Sequence, residues 1–142
     1  MENSFHYLLM ADQAMLQKLF FGAVKSKGLT AGQPKVLDYL KDHDGAGQKE
    51  IAAGCHIEAA TLTSVLNRME EKGMIRWQMK NGNRRSLYVF LTDYGRELAG
   101  FVEQEFARAE QAVFSGFSEE EQEECRSLLG RIYENLAEKI KE

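Results

Sequence analysis

Ala60, Thr61, Thr63, Ser64, Asn67 and Arg68 fall close together and share a character: small or hydrogen-bonding side chains beside one arginine. Such side chains can slide along a base edge without steric conflict. They also offer donors and acceptors where the major groove of double-stranded DNA presents its code. Two further groups carry charge chemistry. Asn83, Arg84 and Arg85 form a basic run suited to phosphate or a minor groove, and Gln48 and Lys49 could meet a backbone phosphate.

The elements that must position these residues follow from periodicity. Leu62, Val65, Leu66 and Met69 recur at i, i+3, i+4 and i+7, which predicts a helix over Ala59–Lys72. Ala60, Ser64, Asn67 and Arg68 then occupy the face opposite that stripe, with Thr61 and Thr63 on its flanks. Gly73 reads as the stop. Met74–Lys80 and Ser86–Leu91 alternate as strands around Asn81-Gly82, a strong turn signal that puts Arg84 and Arg85 at a hairpin tip. Gln48–Cys55 reads as a short helix with Ile51, Ala52 and Cys55 inward, and His56-Ile57-Glu58 as the turn after it. Its small residues Ala52, Ala53 and Gly54 invite close approach by another helix.

The run Gly73–Gly95, GMIRWQMKNGNRRSLYVFLTDYG, resembles the wing signature of the MarR family of bacterial transcription regulators. QKEIAAGCHIEAATLTSVLNRMEEKGMI resembles that family's helix-turn-helix, and LTAGQPKVLDYL the helix before it. The order and spacing of the motifs, from Leu29 to Gly95, carry the resemblance. Two positions depart from the pattern: Asn83 stands where the family has an acid, and Trp77 where it usually has a base. The resemblance implies a mainly α fold, a winged helix-turn-helix with a small antiparallel β-wing and terminal dimerisation helices. It implies a dimeric DNA-binding repressor or activator, often released by a small ligand or an oxidant. A homodimeric repressor relieved by a small ligand is expected, and its two-fold axis calls for an inverted-repeat operator. Residues 29–95 would form the DNA-binding lobe, and residues 4–27 and 96–142 a helical dimerisation lobe.

Outside that stretch the pattern is helical. Residues 4–27 carry a broad apolar band ending at Gly28. Thr30 and Gln33 fit a capping box ahead of Pro34, with Val36, Leu37 and Leu40 inward. Residues 42–47 read as a solvated loop. Thr92 is an N-cap candidate for a long helix to about Ser115. Phe117 is a break, Ser118-x-x-Glu121 a second capping box, and Leu128, Leu129, Ile132, Leu136 and Ile140 stripe the last helix. The terminal stripes exceed what a small winged helix covers, which favours a dimer over a monomer folded on itself.

The 142 residues make one domain's worth of chain with a net charge of -4. An acidic chain is a poor match for phosphate, but the charge is segregated. Ala59–Arg85 holds six bases and two acids, whereas Gly100–Glu142 holds five bases and eleven acids. No apolar run has membrane-spanning length and no signal-peptide pattern opens the chain, so a soluble, cytoplasmic protein without membrane partners is expected. No Ser-His-Asp or Cys-His motif and no phosphate loop appears, so no catalytic residue, metal or cofactor is assigned. Asp42-His43-Asp44 reads as a turn rather than a ligand set. Cys55 falls at a core position, and Cys125 sits among acids. A thiol- or metal-responsive sensor, or a winged-helix protein-interaction module, are the alternative functions. Phe20, Phe21 and Tyr39 are candidate lining for an effector pocket, weighed against plain core packing.

Overall fold

The computed structural model describes the backbone of residues 3–80 and 83–141, with the side chains of residues 3–79 and 87–141. The elements run α1 (Phe5–Val24), a 3₁₀ turn (Lys25–Lys27), α2 (Gln33–Asp42), β1 (Ala46–Gly47), α3 (Gln48–Cys55) and α4 (Ala59–Glu71). They continue with β2 (Ile75–Lys80), β3 (Asn83–Leu91), α5 (Asp93–Val113) and α6 (Glu119–Ile140). The result is a mainly helical winged helix with one antiparallel sheet in the order β1-β3-β2. Met1–Ala109 and Glu110–Glu142 are separate compact units.

In the first unit the predicted stripe of α4 is the centre of the core: Leu62, Leu66 and Met69 are fully buried, with Val65 beside them. Val36, Leu37 and Leu40 of α2 and Ile51 of α3 close around it. Each of these side chains contributes roughly 1.5–3 kcal/mol on leaving water. Gly54 shows why α3 uses small residues. A Cβ there would lie 2.3 Å from the Tyr39 ring, so α2 and α3 meet across a glycine. His56, at φ 54, turns the chain out of α3, a left-handed position in which histidine is enriched.

Two expectations are corrected. Thr30 is not the N-cap of α2; Gly32 holds that position at φ 86. Half of the predicted box survives, because the Thr30 N–H donates to Gln33 Oε1 at 3.0 Å. The left-handed Gly32 lets the chain pass against Val65, and the helix starts after it. The loop over residues 42–47 also ends in a strand: Ala46 and Gly47 pair with Val89 and Tyr88. Asp44 makes that possible, accepting from the Leu91 N–H at 2.8 Å and from Arg96 at 3.0 Å. Two-residue pairing leaves too little alternation to be read from sequence.

Thr92 caps α5 as expected, accepting from the Gly95 N–H at 3.0 Å. It also ties the helix back to the α4–β2 junction. Its hydroxyl donates to the Gly73 carbonyl at 2.6 Å, and its N–H to the Met74 carbonyl at 3.1 Å. Along α5, Leu98, Ala99 and Val102 are buried, Phe101 and Phe106 partly so. α1 places only Phe20 and Val24 in the core, and leaves Phe5, Leu8, Leu9, Met10, Met15 and Leu19 exposed.

In the second unit Ser118 and Glu121 form the complete capping box, with bonds of 3.1 and 2.9 Å. Phe114 meets Phe117 edge-on at 5.6 Å, and Arg126 lies over the Phe114 ring. α6 has no buried residue, and Leu128, Leu129, Tyr133, Leu136 and Ile140 are exposed.

Gly95 supplies a test of this packing. Its Cβ would stand 2.0 Å from the Met74 carbonyl oxygen. Ordinary helix propensity favours alanine over glycine by about 1 kcal/mol, but the overlap should win. Gly95→Ala is expected to lower unfolding stability by about 1–3 kcal/mol. Urea denaturation followed by circular dichroism measures it, and equal or greater stability would contradict the close approach.

Candidate nucleic-acid interface

α4 is held at its ends by side-chain bonds and along its length by its apolar stripe. Near its start, Gln48 Nε2 donates to Thr63 Oγ1, whose hydroxyl donates to the Ala59 carbonyl at 3.0 Å. At its end, Lys72 Nζ donates to the Gly28 carbonyl at 3.0 Å. With Leu62, Val65, Leu66 and Met69 turned inward, Ala60, Thr61, Thr63, Ser64, Asn67 and Arg68 all stand exposed. The structure therefore brings these six onto the outer surface of one helix. Gln48, half-buried, belongs to the same surface through its bond to Thr63, and Lys49 is exposed beside it.

That bond refines the expected roles. Thr63 is an accepting partner for Gln48, and its own proton is engaged within the helix. Thr61, Ser64, Asn67 and Arg68 are the remaining polar groups on the face. Sequence reading missed the pairing because residues 48 and 63 meet only once the turn at His56 has folded α3 against α4.

β2 and β3 continue from this helix. They pair from Ile75↔Leu91 to Met79↔Leu87, and the register shifts between Met79 and Lys80. Arg76 lies over the Phe90 ring at 5.1 Å and donates to Gln78 at 3.2 Å. The second strand was expected from Ser86, but β3 begins at Asn83, whose backbone pairs with Lys80, so Arg84 and Arg85 belong to the strand and not to the tip. The Asn81-Gly82 turn lies outside the described residues, as do the side chains of Asn83, Arg84 and Arg85. Trp77 packs half-buried against the core.

The other candidate chemistry resolves into packing. Phe20 stacks on Phe106 at 4.1 Å and meets Phe21 edge-on at 5.9 Å. Tyr39 stacks on His43 at 4.3 Å while covering Gly54. None of the three lines either of two described cavities. One, of about 570 Å³, is bounded by Lys27, Tyr94, Glu97, Leu98, Phe101 and Gln104 among others. A smaller one, of about 190 Å³, lies beside Asp44 and Arg96. The Asp42–Asp44 turn is a structural tie: Asp44 holds Leu91 and Arg96, and His43 Nδ1 donates to the Tyr39 carbonyl. Among the described residues no three His, Cys, Asp or Glu side chains come together to hold a metal. No described helix is long and apolar enough to cross a membrane.

Cys55 is buried, with its thiol 3.5 Å from the Lys35 carbonyl. Burial pushes the thiol pKa up, and the Lys35 charge opposes this only in part. A thiolate is the reactive form, so Cys55 is a poor sensor. Cys125 is partly exposed.

Residues 29–87 match the MarR family. The HTH-type transcriptional regulator PecS of Dickeya dadantii is 40% identical over 87 residues, 61% of this chain and 52% of PecS. The match thus spans about half the length of that relative. A MarR-family regulator from Listeria monocytogenes, solved with a 26mer DNA, superposes with a TM-score of 0.90 at 20% identity, over 96% of this chain and 91% of the other. Bordetella bronchiseptica BpsR superposes with a TM-score of 0.83 at 23% identity, over 92% and 94% of the two chains. At these identities the superpositions establish the fold.

The cysteine geometry has a direct readout. Iodoacetamide at neutral pH is expected to label Cys125 and leave Cys55 unmodified until urea unfolds the chain. Peptide mass spectrometry distinguishes the two sites, and labelling of Cys55 in the native protein at the rate of Cys125 would contradict its burial.

Proposed function

We propose that this chain, which belongs to the MarR family through residues 29–87, is a transcription regulator that binds double-stranded DNA. The observation that carries the reading is the exposed polar face of α4, followed directly by a hairpin with basic residues and no acidic ones. In this reading Ala60, Thr61, Ser64, Asn67 and Arg68 enter the major groove. Thr63 orients Gln48, which meets the backbone with Lys49. Asn83, Arg84 and Arg85 reach the adjacent minor groove or its phosphates. The DNA-bound Listeria regulator, which shares the fold, supports this mode. A protein-interaction module has no comparable support, because nothing in it calls for a cationic hairpin beside a polar helix.

The exposed apolar residues of α1, and those of α6, support assembly as a homodimer, in which a second copy covers them. The terminal helices would then be the dimerisation lobe and residues 29–95 the DNA lobe. A two-fold pair of α4 helices reads an inverted repeat with half-site centres about one turn, roughly 10 bp, apart. Repression relieved by a small ligand completes the reading. BpsR has its DNA binding regulated by 6-hydroxynicotinic acid, and the 570 Å³ cavity here offers Lys27 beside the aromatic Phe101 and Tyr94. Such a ligand works by binding the two arrangements of the dimer unequally.

Selection of bound duplexes from a random pool tests the function directly, and an inverted repeat is the expected product. On the selected site, Asn67→Ala should relax preference at particular base pairs by about 1–3 kcal/mol. A loss uniform across all sequences would place Asn67 on the backbone instead. Arg84→Ala with Arg85→Ala should weaken binding to every duplex and flatten the salt dependence by roughly one to two units per protomer. Unchanged affinity and slope would remove these two arginines from the interface. Five base pairs inserted between half-sites should abolish cooperative binding in a footprint, and survival of that binding would refute a rigid two-fold pair.

A further inference from the structure

The alternation of β2 and β3 carries an apolar face past the edge of the core. Ile75, Trp77 and Met79 occupy one face of β2, and their register partners Leu91, Val89 and Leu87 occupy the same face of β3. These six make one continuous apolar surface. Its inner end is core, since Ile75, Val89 and Leu91 are buried, and Trp77 is half-buried. Its outer end is not. Met79 is 47% exposed and Leu87 38%, and the two are directly opposite each other. The other face of the sheet carries Arg76, Gln78, Tyr88 and Phe90. Nothing in the folding of the hairpin requires an apolar pair beyond the edge of the core, where polar side chains would serve as well.

The charge of the surrounding sequence indicates what covers the pair. From Gly73 to Thr92 there are four bases, Arg76, Lys80, Arg84 and Arg85, and no acid. A segment of that sign favours an anionic occupant, one that is apolar where Met79 and Leu87 touch it. Two side chains are too few for a protein interface, which takes about 20–30 residues a side. They suit a minor groove about 6 Å wide, whose walls are deoxyribose and whose rims are phosphate. Methionine and leucine are among the apolar residues that proteins place in that groove.

We infer that Met79 and Leu87 seat against the deoxyribose walls of the minor groove beside the segment that α4 occupies. This inference rests on the DNA-binding reading. It deepens that reading by giving the wing a contact that excludes water and releases no counterions. Affinity gained in this way adds to the electrostatic part without steepening its salt dependence.

The experiment uses the full chain and the selected duplex. Met79→Ser with Leu87→Ser, Met79→Ser alone and the apolar exchange Met79→Leu with Leu87→Met are compared with wild type across a salt series. Circular dichroism melting confirms the fold of each. The polar pair should bind about ten-fold more weakly at every salt concentration, with a log–log salt slope parallel to wild type. The single change should fall between, and the apolar exchange should match wild type. Hydroxyl-radical footprinting, which attacks sugar hydrogens lining the minor groove, should show lost protection at that segment only in the serine variants. Unchanged affinity and footprint in the polar pair would overturn the placement while leaving the regulator reading intact. A changed salt slope would overturn it too. So would loss of binding to phosphatidylserine–phosphatidylcholine vesicles with DNA affinity unaffected, which would assign the pair to a lipid surface. A wild-type chain that selects no duplex would overturn the regulator reading itself, and this inference with it.

Discussion

The Met74 carbonyl sits so close to Gly95 that no side chain fits between them, and the first unit is arranged around that junction. The same carbonyl accepts the Thr92 N–H, and Thr92 spends its hydroxyl on Gly73 and on capping α5. Just before it, the Leu91 N–H is held by Asp44, which also pairs with Arg96. Four segments thus converge within a few residues: the end of α4, the root of the hairpin, the α2–β1 turn and the start of α5. Their bonds are individually worth about 0.5–1.5 kcal/mol. Together they set the angle at which the hairpin leaves the helix.

Much of this was legible in the chain. The 3.6-residue stripe of α4 survives intact in the core, and its polar complement is the exposed face, because burial on one side forces exposure on the other. The Ser118 box and the Thr92 cap also appear where the residues call for them, since capping is a local affair decided within four positions. What the sequence did not reveal is non-local. Gln48 and Thr63 are fifteen residues apart, Asp44 and Arg96 fifty-two, and no period links them. Thr30 misled because its capping pattern is real but only half used, the left-handed Gly32 having taken the cap.

The aromatic residues show the limit from another side. Phe20, Phe21 and Tyr39 have the composition of a ligand pocket, and each instead meets another ring or covers a glycine. Aromatic side chains are valuable in a small core because a single one covers so much area, and composition alone cannot separate that use from recognition. Charge was more informative when taken by segment: an acidic chain contains a hairpin with no acidic residue at all.

The tethers of α4 bear on how it would accommodate different partners. Its first half is linked through Thr63 to Gln48 and its end through Lys72 to Gly28, while its apolar stripe rests in the core. A rod pinned at two separated points and cushioned along one side resists sliding along its axis more than it resists rolling about it. Sliding would break both pins, whereas a roll of a few degrees only re-aims long, flexible side chains. Small rolls would let one helix follow grooves of slightly different width without surrendering its register, a mechanical tolerance set by where the pins are and not by any residue that touches the groove.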